Sequence, residues 1–179
     1  MSGAQAARGA ALLGLLALAG CSWFSSSSSS TPPQACPSAV ILRPLANTAI
    51  LSPGVEARPD NVAFYGLLSE VDRQCDYTGD AVRMTLDVIL VSQRGPAAKG
   101  DEADFTYFVA VTGPNQAIIS KRPFTVRVAF QPDQARAGVT DHIVETIPLA
   151  GHKGTDINVL VGFQQSPEVV DFYKHFRGR

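Results

Sequence analysis

From residue 36 onward, apolar and polar positions alternate with a period of two over most of the chain, the pattern of strands with one wet face. Leu67, Val71, Cys75 and Tyr77 share one parity, and Glu70, Asp72, Gln74 and Asp76 take the other. Thr78-Gly79-Asp80 is a turn signal. Beyond it Val82, Met84, Leu86, Val88 and Leu90 continue an inward face, while Arg83, Thr85 and Asp87 point out. Residues 67–77 and 81–92 therefore read as a long hairpin. Helical character is read only around residues 61–69 in this part of the chain.

Further strands follow from the same alternation. Val40-Ile41-Leu42 and Ala49-Ile50-Leu51 are short apolar runs around Pro44 and Pro53. Phe105, Tyr107, Val109 and Val111 alternate with Thr106, Phe108, Ala110 and Thr112, and Gly113-Pro114-Asn115-Gln116 closes a turn. The next strand holds Phe124, Val126, Val128 and Phe130 on one face, and Pro123, which lacks an N–H, belongs there at a bulge or an edge. Residues 93–102 read as a loop and 132–140 as a longer surface connection. Ile143, Glu145 and Ile147, then Val159-Leu160-Val161, suggest two last strands. About eight short strands with Gly/Pro turns predict an all-β fold, a two-sheet antiparallel sandwich that is immunoglobulin-like in the broad sense.

The period changes near the C-terminus. Ser166-Pro167-Glu168 is a helix start, with Ser as N-cap and Pro in the first turn. Val169, Val170, Phe172, Tyr173 and Phe176 follow, with Lys174, His175 and Arg177 where they suit the helix dipole. The reading is a short helix over 167–176. Its apolar side either packs on the sandwich or docks on a partner.

The N-terminus reads differently. Arg8 is the only charged side chain before residue 43, and an apolar run over residues 10–20 follows it. A spanning helix needs about 20 apolar residues, so this run suits a secretory signal peptide better than a permanent anchor. It ends in Leu18-Ala19-Gly20-Cys21, which resembles the lipobox of bacterial lipoproteins. The resemblance covers the first 21 residues. It implies cleavage before Cys21 and a diacylglycerol thioether on its sulfur, then acylation of the new amine. Ser22 after the cysteine is the residue that, in that family, favours the outer membrane over the inner. Each buried CH₂ contributes about 0.8 kcal/mol, so two or more acyl chains make a stable anchor.

Ser25–Ser30 and Thr31-Pro32-Pro33 offer no apolar surface to bury and read as a disordered tether over 21–35, with a reach of about 20 Å. Trp23 and Phe24 interrupt it, either as incidental apolar residues or as interfacial anchors beside the lipid. The expected organisation is a signal peptide at 1–20, the tether at 21–35, the sandwich at 36–165 and the C-terminal helix and tail at 166–179. The domain at residues 36–165 is further similar, by style more than by motif, to small uncharacterised envelope lipoproteins of Gram-negative bacteria.

Export changes the reading of the cysteines. With Cys21 lipidated, Cys36 and Cys75 remain in an oxidising compartment, where a disulfide between them is expected. Composition narrows the partners. With 45% apolar residues, 17% charged residues and a net charge of -1, the chain is globular and has no basic bias toward nucleic acid.

Catalytic signatures are lacking in the sequence. There is no H-E-x-x-H, C-x-x-C, G-x-S-x-G or phosphate loop. On a strand His142 and Glu145 would face opposite ways. His152 lies in the Gly-rich segment Gly151–Gly154, and His175 lies near the chain end. Asp101, Glu102 and Asp104 would suit calcium by ligand type, but acids are ordinary in a loop, and no metal, cofactor or catalytic residue is assigned. The expected function is a non-enzymatic binding or structural module, lipid-anchored on the periplasmic side, preferably of the outer membrane, with an envelope protein as partner. Two other readings stand beside it: an assembly subunit docking through the C-terminal helix, and a hydrolase of envelope polymers. The surface candidates are the loops at 94–103, 131–140 and 151–156.

Overall fold

The computed structural model describes residues 34–176. The signal peptide, the lipobox with Cys21 and most of the tether lie outside the described residues. Eight strands run β1 (Ser38–Ile41), β2 (Asn47–Leu51), β3 (Val62–Thr78), β4 (Ala81–Arg94), β5 (Glu102–Thr112), β6 (Ile118–Ala129), β7 (Arg136–Pro148) and β8 (Asn158–Phe163), followed by helix α1 (Pro167–His175). They form two four-stranded sheets, sheet I in the order β1-β8-β5-β6 and sheet II in the order β2-β3-β4-β7. The all-β sandwich with a short C-terminal helix is as expected. Every pairing is antiparallel except β1 with β8, which is parallel. The likeness to immunoglobulin sandwiches extends to the two layers and not to the strand order, because β2, β3 and β4 meander within one sheet.

The inner faces supply the core. Val82, Met84, Leu86, Val88 and Leu90 of β4 meet Phe105, Tyr107, Val109 and Val111 of β5 and Val159, Val161 and Phe163 of β8, all nearly inaccessible to water. The β3–β4 hairpin is longer than the sequence pattern implied. It turns at Gly79, whose positive φ of 61° suits a residue without a Cβ.

Three expectations need correction. Residues 62–69 are strand, with only a 3-10 turn at Pro59–Asn61 before them. β7 begins at Arg136, so the connection before it is shorter than 132–140. The third correction concerns Leu67. The register of β3 on β4 shifts between Leu68 and Glu70, so Ser69 is an extra residue in a β-bulge. A one-residue insertion exchanges the two faces of a strand. Phe64, Gly66 and Leu68 therefore face the core before the bulge, and Val71, Cys75 and Tyr77 do so after it. Leu67 does not share their face. It points outward and is 41% exposed.

Pro123 lies on β6, which pairs with β5 alone and is an edge strand. Cys36 and Cys75 are joined in a disulfide with Cα atoms 5.8 Å apart. Beside it the Tyr77 hydroxyl donates to the Ala35 carbonyl at 2.6 Å. The chain thus enters the domain at the end where the β3–β4 hairpin turns.

Candidate functional site

A groove of about 1620 Å³ lies between α1 and the outer face of sheet II. The helix is seated by local chemistry. The Ser166 hydroxyl caps it by accepting from the Val169 amide at 3.3 Å, and Pro167 fills its first turn. Val169 and Phe172 are buried, with Phe172 packing on Ala49 and Val62. The C-terminal helix therefore packs on its own domain, over the β2 edge of the sheet.

What α1 leaves uncovered is the rest of that face. Leu67 of β3 and Val91 of β4 are direct cross-strand partners and form the floor, with Gly138 of β7 next in the same row. Val170, Tyr173 and Phe176 of α1 make one wall, and Pro44 and Leu45 close one end. Val170 is 37% and Phe176 39% exposed. Arg43, Arg136, Lys174 and His175 bring positive or ionisable nitrogen to the lining, which contains no carboxylate. The Arg136 guanidinium donates to the Gln93 amide oxygen at 3.1 Å, and neither Arg43 nor Arg136 forms an ion pair among the described residues. Lys174 and His175 lie 4.0 and 3.7 Å from the exposed carboxylate of Asp171.

Two phenols, Tyr65 and Tyr173, line the groove. Burial, with a smaller contribution from Tyr65, pushes the Tyr173 pKa up to about 12. Burial and then the negative charge of Asp60 raise that of Tyr65. A folded-state pKa above the unfolded value near 10 stabilises the fold below pH 10, and that stability is lost as pH rises toward 12. Urea stability should therefore fall between pH 10 and 12, and Tyr173→Phe should flatten the fall. An unchanged slope in that variant would place the alkaline transition elsewhere.

A second constellation lies inside the sandwich. The Tyr107 hydroxyl donates to Asp141 at 2.6 Å, and its ring stacks on Phe124 at 5.7 Å. Arg122 lies over Phe124 and reaches Glu145 at 3.5 Å. Glu145 is 7% exposed, and its Oε1 has no hydrogen-bond partner. A buried acceptor without a donor costs about 1–3 kcal/mol. The partner left behind, Arg122, has a side chain 57% exposed and stays hydrated, so removing the carboxylate leaves no buried charge uncompensated. Glu145→Leu should thus keep stability or raise it by up to about 2 kcal/mol in urea titration. A loss above about 1 kcal/mol would show that the carboxylate contributes net stabilisation.

The other sequence candidates are dispersed. Asp101 pairs with Arg94 at 2.6 Å, Asp104 receives two hydrogen bonds from Arg127, and Glu102 lies 3.3 Å from Arg127. The acids singled out for calcium are thus engaged by arginine, and the Arg127 guanidinium holds the Asp104 carboxyl below its usual range. Among the described residues no group of three or more His, Cys, Asp and Glu could hold a metal. His142 pairs with Asp87 at 2.6 Å on the outer face of sheet II, opposite in direction to Glu145. His152 lines a hollow of about 330 Å³ with Tyr77 and Lys153, where the chain enters.

Of the surface candidates at 94–103 and 131–140, the β4–β5 and β6–β7 connections within them are brought together. The Arg94 amide donates to the Ala135 carbonyl, and its guanidinium reaches Gln134 and Gly100. They sit at the groove end of the domain. The 151–156 segment lies at the opposite end. The groove itself is not legible in the sequence, because alternation alone places Leu67 on one face with Val71, Cys75 and Tyr77. The consecutive leucines Leu67-Leu68 before Ser69 were the available sign of a change of face.

Among the described residues no helix is long and apolar enough to cross a membrane. Comparison with protein-family models, with curated proteins and with solved structures finds no significant match to this chain.

Proposed function

We propose that this chain is a bacterial lipoprotein, anchored through Cys21 on the periplasmic side and preferably to the outer membrane, whose sandwich works as a non-enzymatic binding module for an envelope protein. The observation that carries the binding reading is the groove. Its apolar floor and helix wall form a concave, partly water-exposed surface of the kind that partners cover. It lies 10–12 residues along β3 from Tyr77, about 35 Å at the usual rise per residue. The chain enters the domain beside Tyr77, at the end opposite the groove.

The chemistry of the lining also favours binding over turnover. No carboxylate lines the groove, and no carboxylate lines the smaller hollow beside His152. A polymer hydrolase needs carboxyls or an activated nucleophile converging on a cleft. α1 serves here as a groove wall, so a docking role for the C-terminal helix falls within the same reading.

Two measurements test it. Cys21→Ser should abolish incorporation of labelled palmitate and release the protein from the membrane fraction; continued labelling would refute the anchor. A photocrosslinking residue placed at Leu67 should capture a partner in intact envelopes, whereas one at Thr78 should not. Capture from neither site, or equally from both, would overturn the groove as the binding surface.

A further inference from the structure

The charge distribution and the width of the open sheet say what the groove accepts. All 16 acidic residues of the chain lie within residues 34–176, against 12 of its 15 lysines and arginines, the others being Arg8, Arg177 and Arg179. The described domain is therefore net acidic. The groove lining nonetheless carries three lysine and arginine side chains and no carboxylate. Arg43 and Arg136 stand at it without an ion-pair partner among the described residues. A cationic rim on an acidic body is complementary to an anionic ligand and repels a cationic one.

Geometry limits the ligand further. A volume of about 1620 Å³ exceeds the roughly 300–1,000 Å³ of small-molecule pockets. The floor belongs to inner strands β3 and β4, whose backbone groups are already paired, so an added strand has nothing to hydrogen-bond there. Packed helices lie about 8–10 Å apart, which is about two strand spacings. With α1 over β2 through Phe172 on Ala49, the next such position lies over β4, above Leu67, Val91 and Gly138. Gly138, next in the row on β7, adds no side chain to obstruct that position. A helix seated there would present apolar residues at i, i+3, i+4 and i+7 to the sheet and to Val170 and Phe176, with acids flanking them toward Arg43 and Arg136.

We infer that the groove binds an acidic amphipathic helix of a partner protein, laid beside α1 on the outer face of sheet II. The inference rests on the reading of the groove as a binding surface and adds the chemistry of its occupant. The probe is a synthetic 16-residue helix with Leu at i, i+3, i+4 and i+7 spacing and Glu elsewhere, compared with the same peptide carrying Lys in place of Glu. Binding to the full chain is followed by fluorescence anisotropy at two salt concentrations.

The Glu peptide should bind at least tenfold more tightly than the Lys peptide, and added salt should narrow the gap. Arg43→Glu with Arg136→Glu should weaken the Glu peptide at least tenfold, and Leu67→Asn should weaken it at unchanged thermal stability. Equal binding of the two peptides, no binding of either, or indifference to the arginine exchanges would overturn the inference. Vesicles containing anionic phospholipid are the third probe; arginine-dependent binding to them without binding of the Glu peptide would also overturn it, in favour of a lipid surface. Crosslinking from Leu67 to a partner, together with failure of the Glu peptide, would sink the occupant and leave the binding surface standing.

Discussion

Serine at both Cys36 and Cys75 should lower the unfolding free energy by about 4 kcal/mol, the loop-closure value for this separation in the chain-entropy model. The bond spans 39 residues and joins the start of the domain to β3. It matters to more than the unfolded chain. β1 has four residues and is held on one side only, by its parallel pairing with β8. Next to the staple, Ala35 is held by the Tyr77 hydroxyl. Without the bond this edge keeps its pairing with β8, the Ser38–Asn158 hydrogen bond and the packing of Ala39 and Ile41, but loses its covalent tie to β3, so hydrogen exchange should accelerate first in β1. The groove, at the other end of β3, should keep its ligand affinity at temperatures where the variant remains folded. The measurement is urea unfolding of oxidised wild type against the double variant. A difference below about 1 kcal/mol would mean that strain in the native state cancels the entropic gain.

Phe105→Ala is expected to cost about 3–5 kcal/mol, the range for removing a buried aromatic ring. Phe105 is 2% exposed, and its ring lies 6.0 Å from that of Phe163. It also fills the space left by Gly66 on the facing sheet: a Cβ built on Gly66 would lie 2.7 Å from the Phe105 ring. The two positions therefore form a large-and-small pair across the core, and their substitutions should not add. Gly66→Ala alone should destabilise by about 1–3 kcal/mol through overpacking. In the Phe105→Ala background the same change should be near neutral or should restore some stability, because the added methyl enters the cavity. Purely additive costs in urea titration would show that the core relaxes around each change independently. Gly66 lies one residue before Leu67, so a shift of β3 here should also weaken groove ligands, which the peptide measurement would detect.

Much of the fold was legible in local pattern. The alternation in β4 and β5 reflects a property of each strand alone: successive side chains point to opposite faces, and one face must leave water. The signal at Ser166-Pro167 was likewise local, because a cap and a first-turn proline act within one turn of the helix. Pro123 could be limited to a bulge or an edge because its missing N–H excludes it from a regular central position. The pairing of Cys36 with Cys75 followed from their number and the expected compartment. In each case the deciding physics acts within a few residues, or within a count of chemical groups.

The groove was not legible in that way. Its floor depends on Ser69 being left over when β3 pairs with β4, and a register shift is a property of two strands together. The covering of Ala49 and Val62 by Phe172 depends on where a helix more than a hundred residues later comes to rest. Arg43 and Arg136 lie far apart in the chain and meet at one rim only after both sheets are built. The chain by itself determined the strands, the helix and the disulfide, since these express local geometry and chemistry. Tertiary structure alone decided which apolar residues remain in water and which charges gather around them, because that depends on the packing of segments distant along the chain.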